Sequence, residues 1–338
     1  MKTPSNPVTV QEETLLHLLS QFKGKRVAVL GDVGIDRYTH GTVVRISPEA
    51  PVPIVAVESE TLKLGLAANV ADNIIALGAK ASITGVVGKD KDALDLTSLM
   101  KEKRLESRGL VPDESRRTIL KERIVAEMQQ VLRVDYENTH ALSSGIQKKV
   151  QESILKAIQN SDALIIEDYA KGLLSESLIQ GAIRAARKKK IPILVDPHLK
   201  TPVHWYAGST LLTPNKKEAE ALAGHKITDE STLLKAGKFI IEKTRAESLI
   251  ITLGRDGMAI FKDAGAKPVM IPTFAREVYD VSGAGDTVIS VLALALASEA
   301  KLEEAAYVSN LAAGVEVSKR GTATVSIQEI IQAFLSSR

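Results

Sequence analysis

The stretch DVSGAGD, residues 280–286, stands one residue before an apolar run, VISVLALALA. Two glycines and an aspartate at the mouth of a buried helix admit two readings. Glycine permits a tight turn, and aspartate suits the first turn of a helix. The same residues also make an anion site, because free amides at a helix start attract phosphate and glycines let it come close. A carboxylate in that turn, Asp286, could then serve as base toward whatever attacks the phosphate. Further residues of chemical interest end apolar runs: Gly31-Asp32, Glu167-Asp168, Asp196 and Gly254. Loop chemistry accounts for any one of them singly. Their recurrence marks one edge of a sheet, where ligands of open α/β folds bind.

The elements that must position these residues alternate. Apolar runs at 26–31, 81–88, 162–168, 191–196 and 248–254 read as strands, with helical patterns near 66–78, 90–103, 145–159, 175–190 and 215–242. That rhythm predicts an α/β fold, a mostly parallel sheet with helices on both faces. Thr9 to Glu12 has the spacing of a capping box opening a first helix. The basic run at 184–190 suits the carboxyl end of a helix. Two segments break the rhythm: 41–57 is extended and punctuated by proline, and 118–137 reads as a hairpin. In the hairpin Leu132, Val134 and Tyr136 alternate with Arg133, Asp135 and Glu137, while Lys121 and Arg123 share a face of the first arm. These strands are expected to form a small sheet serving as a lid, and its cations suit an anionic substrate.

Composition narrows the function. A net charge of +3 is too mild to imply nucleic acid. The absence of cysteine excludes disulfides, thiolate catalysis and cysteine zinc sites, and the six histidines never fall at i, i+4 spacing. The N-terminus lacks the apolar core of a signal peptide, and no run reaches the roughly 20 apolar residues that cross a bilayer. A cytoplasmic protein without membrane partners is expected. The first strand turn, Gly31 to Asp36, lacks the G-x-G-x-x-G dinucleotide fingerprint, and no Walker A loop is present.

Several motifs in order, GDVGIDRY (31–38), RISPEAPVPI (45–54), AANVA (67–71), DYAKG (168–172), TLLTPNKKEAE (210–220) and EVYDVSGAGDT (277–287), resemble the ribokinase-like (PfkB) carbohydrate kinases. Within that family they look most like the D-glycero-β-D-manno-heptose-7-phosphate kinases, which serve ADP-heptose and lipopolysaccharide synthesis. The subgroup's kinase is often fused to a nucleotidyltransferase; ending at Arg338, the chain resembles the stand-alone form. The resemblance implies a three-layer ribokinase-like fold over residues 1–338 as one kinase domain, with ATP and Mg²⁺ as cofactors. Asp286 is then the general base, and the amides around Gly283, Ala284 and Gly285 receive the transferring phosphoryl group. Asn215 and Glu218 match the family's N-x-x-E, which organises Mg²⁺ mainly through water; they equally suit a helix capping box. Thr252, Gly254, Gly257 and Asn310 fall on the nucleotide side. Asp32, Gly65 and Asn69 fall on the sugar side, with Arg37, Lys121 and Arg133 as phosphate contacts. Related kinases often pair through their lids, so a homodimer is expected.

The sequence departs from the subgroup at Leu66, at Met128 and at His198, all on the sugar side. A heptose-7-phosphate kinase, a kinase of the same fold for another sugar or sugar phosphate, and a non-catalytic sugar-nucleotide sensor are the open readings. The intact Asp286, Asn215 and Glu218 disfavour the sensor.

Overall fold

The apolar runs become strands of a nine-stranded sheet in the computed structural model, which describes residues 8–127, 129–275, 278–319 and 321–337. After α1 (Glu12–Ser20) and β1 (Arg26–Gly31), the chain leaves the main sheet as β2 (Val33–Ile46) and β3 (Pro53–Leu66). It returns through α2 (Ala67–Ala76), β4 (Lys80–Val87), α3 (Lys91–Glu102) and β5 (Leu110–Pro112), then leaves again as β6 (Ile119–Ala126) and β7 (Gln129–Tyr136). The second half alternates α4 (Ser144–Gln159), β8 (Ala163–Glu167), α5 (Glu176–Lys189), β9 (Ile193–Asp196) and β10 (Leu211–Leu212), followed by α6 (Lys216–Ala223), α7 (Glu230–Thr244) and β11 (Ser248–Thr252). An antiparallel extension, β12 (Met258–Phe261) and β13 (Val269–Ile271), precedes α8 (Ala284–Ala297), α9 (Leu302–Glu316) and α10 (Ile327–Ser336).

The main sheet has the order β13-β12-β11-β10-β9-β8-β1-β4-β5, parallel from β5 through β11. Its strands are buried on both faces, and alternate residues serve two cores. Val27, Val29 and Ile165 join the core under α2, α8 and α9; Ala28, Leu30, Leu164 and Ile166 join the one under α4, α5 and α7. This is why the strands read as unbroken apolar runs. Helix α8 is apolar on every side because it is enclosed, with Thr287 to Ala295 all buried. Its few hydroxyls fasten it to α2: Thr287 Oγ1 donates to Asn73 Oδ1 at 3.1 Å, and Ser290 Oγ to the Val70 carbonyl at 3.2 Å.

Two local expectations change. The helix at the start of the chain opens at Glu12 with Gln11 as N-cap and no side-chain cap, so the Thr9–Glu12 box is not formed. The pattern at 215–242 is two helices, because Gly224 takes φ 73° at the end of α6 and Asp229 caps α7 afresh. The basic run ends α5, with Lys190 as its left-handed cap.

The four strands outside the main sheet form a second sheet, in the order β3-β2-β6-β7. It is longer than 41–57 and 118–137 imply, since β2 begins at Val33 and β3 ends at Leu66. One face carries Asp36, Tyr38, Lys121, Arg123, Arg133 and Asp135, by the pairings Asp36↔Lys121, Tyr38↔Arg123, Lys121↔Asp135 and Arg123↔Arg133. At the base of the sheet the opposite face, with Ile35, Leu64 and Leu120, packs into the main core. At its tip Val43, Val44, Ile46, Val57, Val131 and Leu132 are exposed. Tyr136 packs instead against the core, with the Arg117 guanidinium over its ring. Among the described residues no helix is long and apolar enough to cross a membrane.

Candidate active site

The carboxyl ends of β1, β8 and β9, the starts of α6 and α8, and the charged face of the small sheet converge around Asp286. Gly283, at φ 98°, is the N-cap of α8 in a conformation that costs an L side chain but not glycine. No side chain caps this helix, and the Ala284 amide makes only a long 3.4 Å bond to the Val281 carbonyl, so the first turn of α8 can still offer its amides to a ligand. Asp286 sits one residue further. Asn69 Nδ2 donates to its Oδ2 at 2.7 Å and the Tyr169 hydroxyl to its Oδ1 at 3.0 Å. Burial pushes the Asp286 carboxyl up to about 6, while these two donors and Lys121 pull it down. It is therefore mostly ionised at neutral pH, though closer to titration than an ordinary aspartate.

Around it stand further acids. Glu167 and Asp196, at the ends of β8 and β9, are pushed well above the carboxylate range, by burial first; Asp196, Asp286 and Glu218 add to it at Glu167, and Glu218 and Asp286 at Asp196. Glu316, at the end of α9, is fully buried, and neither of its oxygens has a hydrogen-bond partner among the described residues. Burial first, with Asp286 and Asp280 adding to it, raises its pKa to about 8, so it carries a proton at neutral pH.

Asp32 stands between β1 and β2, where its carboxylate accepts from the amides of Lys171 (3.1 Å) and Leu173 (3.3 Å). It thereby fastens the DYAKG loop, and burial raises it too to about 6. Asp168 holds the same loop by accepting from Thr201 Oγ1 and the Tyr206 hydroxyl. His198 lies beside that loop, its Nδ1 accepting from the Lys200 amide. Leu66, the other described departure, takes φ 58° and ψ −139°, backbone that glycine would adopt freely, directly before α2 and Asn69. Met128 and Glu277 lie outside the described residues.

The cationic residues divide by strand parity. Lys121 lies with its Nζ 5.6 Å over the Tyr169 ring, and burial lowers its pKa. Arg123 donates to Asp36 Oδ1 at 2.6 Å. Gly65 keeps that place open, since a Cβ there would meet the Asp36 carboxyl at 3.2 Å. Arg133 shares the face but is exposed and held by both oxygens of Asp135 (2.9 and 3.0 Å). Arg37 is a correction. It is one residue out of phase with Asp36 and Tyr38, so it points to the other face and pairs with Asp92 of α3 at 3.4 Å.

At the start of α6, Asn215 and Glu218 do form a capping box: the Asn215 amide donates to Glu218 Oε2 at 2.8 Å, and Asn215 Oδ1 accepts from the Glu218 amide at 3.1 Å. Thr252 ends β11 beside Asn215 through an isolated bridge. Gly254 and Gly257 both take positive φ in the turn that follows. Asn310 is committed to structure, its Nδ2 donating to the Pro272 carbonyl at 2.7 Å. Among the described residues no three acids or histidines are grouped to hold a metal directly. The raised, buried carboxyls of Glu167, Asp196 and Glu218, with Glu167 Oε1 without a hydrogen-bond partner among the described residues, nonetheless fit a hydrated Mg²⁺ held mainly through water. Asp36, Tyr169 and Glu316 were not singled out from the sequence. The first two lie inside the motifs GDVGIDRY and DYAKG, which were the available signal.

A buried carboxylate beside a glycine-opened helix start, under a cationic sheet and between two halves of an α/β fold, belongs to an ATP-dependent carbohydrate kinase with a ribokinase-like fold. Residues 24–329 match the model of the pfkB family carbohydrate kinases, and the chain belongs to that family. Among curated relatives it is 40% identical over 323 residues to bifunctional protein HldE of Geobacter metallireducens, covering 95% of this chain and 65% of that protein. To bifunctional protein HldE of Hahella chejuensis it is 43% identical over 320 residues, 93% and 64% of the two chains. The chain thus spans less than two thirds of these relatives' lengths. The tetrameric inhibited form of phosphofructokinase-2 from Escherichia coli superposes with TM-score 0.76 at 19% identity, over 93% of this chain and 100% of that one. The ribokinase of Arabidopsis thaliana complexed with ribose and ATP gives 0.72 at 17%, over 92% and 98%. At such identities these two likenesses speak for the fold alone.

Proposed function

We propose that the chain phosphorylates a sugar phosphate, D-glycero-β-D-manno-heptose 7-phosphate, at its anomeric hydroxyl to give the 1,7-bisphosphate. The observation that carries the phosphorylated substrate is Lys121. It is a half-buried ammonium on the cleft face of the lid, with no ion pair of its own within 4 Å among the described residues, beside the Asp36–Arg123 pair. A neutral sugar needs hydroxyl partners such as Asn69; an unpaired cation at the far end asks for an anion. Asp286 takes the proton of the attacking hydroxyl as that oxygen bonds to the γ-phosphorus of ATP and the bond to the ADP oxygen breaks. The first-turn amides of α8 stabilise the charge on the transferring group. Glu218 and Asn215 would hold Mg²⁺ through water, with Glu167 and Asp196 nearby, and the ion would supply charge neutralisation at the phosphates. Thr252, Gly254 and Gly257 line the nucleotide side.

In this reading residues 1–338 act as one kinase domain in the cytoplasm and pair as a homodimer through the lid tips, whose exposed Val44, Ile46 and Leu132 would otherwise face water. Leu66, in a joint where glycine is at ease, favours as second reading a kinase of a different sugar phosphate. A panel of sugars and sugar phosphates assayed with Mg-ATP decides. Selectivity for an unphosphorylated sugar, unaffected by Lys121→Ala, would overturn the phosphate assignment.

A further inference from the structure

The base is held in surroundings that oppose its ionisation. Facing Asp286 are Glu167 at the end of β8, Asp196 at the end of β9, Glu316 on α9 and Asp36 on the lid; Lys121 is the cation that faces it. What counters the acids directly are two hydrogen bonds, one to each carboxylate oxygen: Asn69 from α2 and Tyr169 from the DYAKG loop. The two donors differ. Asn69 rides on a helix bolted to α8 through Asn73, Thr287, Val70 and Ser290. Tyr169 comes from a loop held by Asp32 and Asp168, and its ring lies beneath the Lys121 ammonium of the lid.

We propose that Tyr169 is a positioning residue, which fixes the Asp286 carboxylate through Oδ1 and links the lid to the base through Lys121. The phenol can only donate here, because the Asp286 carboxylate oxygen it meets at 3.0 Å is an acceptor alone. Each carboxylate oxygen retains a second lone pair, so the sugar hydroxyl still finds an acceptor while both donors stay in place. The ammonium over the ring favours the closed position of the lid by cation–π attraction. With the lid closed, the base is ionised and aimed.

The inference rests on Asp286 being the base, and its test separates the two. Tyr169→Phe keeps the ring under Lys121 and deletes only the hydroxyl. It is expected to lower kcat about tenfold and to leave KM for ATP within about twofold, the loss of one charge-assisted hydrogen bond. The acid limb of kcat/KM should move to higher pH by about one unit, because a carboxylate that loses a donor binds its proton more tightly. In the free enzyme, ¹³C titration of the Asp286 carboxyl reads that same shift without catalysis, and Lys121→Met should move it in the same direction. Both readouts moving supports the proposal. An unmoved Asp286 titration in a folded Tyr169→Phe overturns it. A moved titration with an unmoved acid limb also overturns the catalytic role of Tyr169, and locates the failure in the assignment of Asp286 as base.

Discussion

Activity should fall as acid is added, earlier than for an ordinary aspartate base. Asp286 titrates at about 6, and a base works only when deprotonated. Roughly 90% of it is ionised at pH 7 and roughly 10% at pH 5, so kcat/KM should drop about tenfold over that interval from this group alone. Asp32 also titrates at about 6, and its anion holds the DYAKG loop most strongly, accepting from two amides, which steepens the fall toward a slope of two. Asp32→Asn should leave the slope of one due to Asp286. Replacing the base itself by Asp286→Asn removes the acceptor at every pH, and turnover should fall by roughly 10²–10⁴-fold. ATP affinity should change little, since the amides of α8 and the Gly283 turn survive. ADP release, followed by an enzyme-linked assay from pH 5 to 8 with the accepted sugar, measures all three quantities. A flat profile from pH 7 to 5, or near-normal turnover in a folded Asp286→Asn, would refute the reasoning.

Other predictions follow from the same geometry. Lys121→Ala should raise KM for the sugar phosphate by about 10–100-fold with KM for ATP unchanged, the worth of a charge-assisted contact, measured by steady-state kinetics; an unchanged sugar KM removes Lys121 from the phosphate site. Glu316 is protonated in the fold and ionised when unfolded over the interval from 4.5 to about 8, so native stability is lost as pH rises through that window. Glu316→Gln abolishes this slope, and its melting temperature should gain on the parent's between pH 5.5 and 8.5; parallel curves would show that the carboxyl is not buried neutral. Ile46→Lys with Leu132→Lys should give a monomer in light scattering where the parent is a dimer, and a monomeric parent at micromolar concentration ends that proposal.

The α/β sheet was legible because strands buried on both faces leave unbroken apolar runs, and β1 came out with its bounds unchanged as 26–31. The lid was legible from period-two alternation, but its full length was not. Val33 to Gly41 is buried almost throughout, which hides the alternation and makes β2 look like a continuation of β1. The glycine-opened start of α8 announced itself by composition. What lies around Asp286 did not, since contacts such as Asn69–Asp286 and Tyr169–Asp286 join residues more than a hundred positions apart. Arg37 shows the opposite error. Its charge and neighbourhood suggested a phosphate contact, while strand parity, fixed only once the register of β2 with β6 is known, sends it to Asp92. The capping box at Asn215 and Glu218 was readable from spacing alone, because helix starts are governed by local geometry.

The small sheet is joined to the rest of the chain like a long oar in a short rowlock. Asp32 is the only residue between β1 and β2, and none separates β3 from α2; the Ala67 amide donates to the Asp32 carbonyl at 3.0 Å, so the two joints are pinned to each other. Beyond that pivot β2 runs 14 residues, a blade of roughly 45 Å at about 3.3 Å per residue. A rotation of 5° at the pivot sweeps the tip by about 4 Å, yet moves Asp36 and its neighbour Lys121, only a few residues out, by about 1 Å. Whatever grips the exposed tip therefore acts with long leverage on the short arm. It can set the spacing between lid cation and sugar within a fraction of a hydrogen-bond length, without touching the cleft.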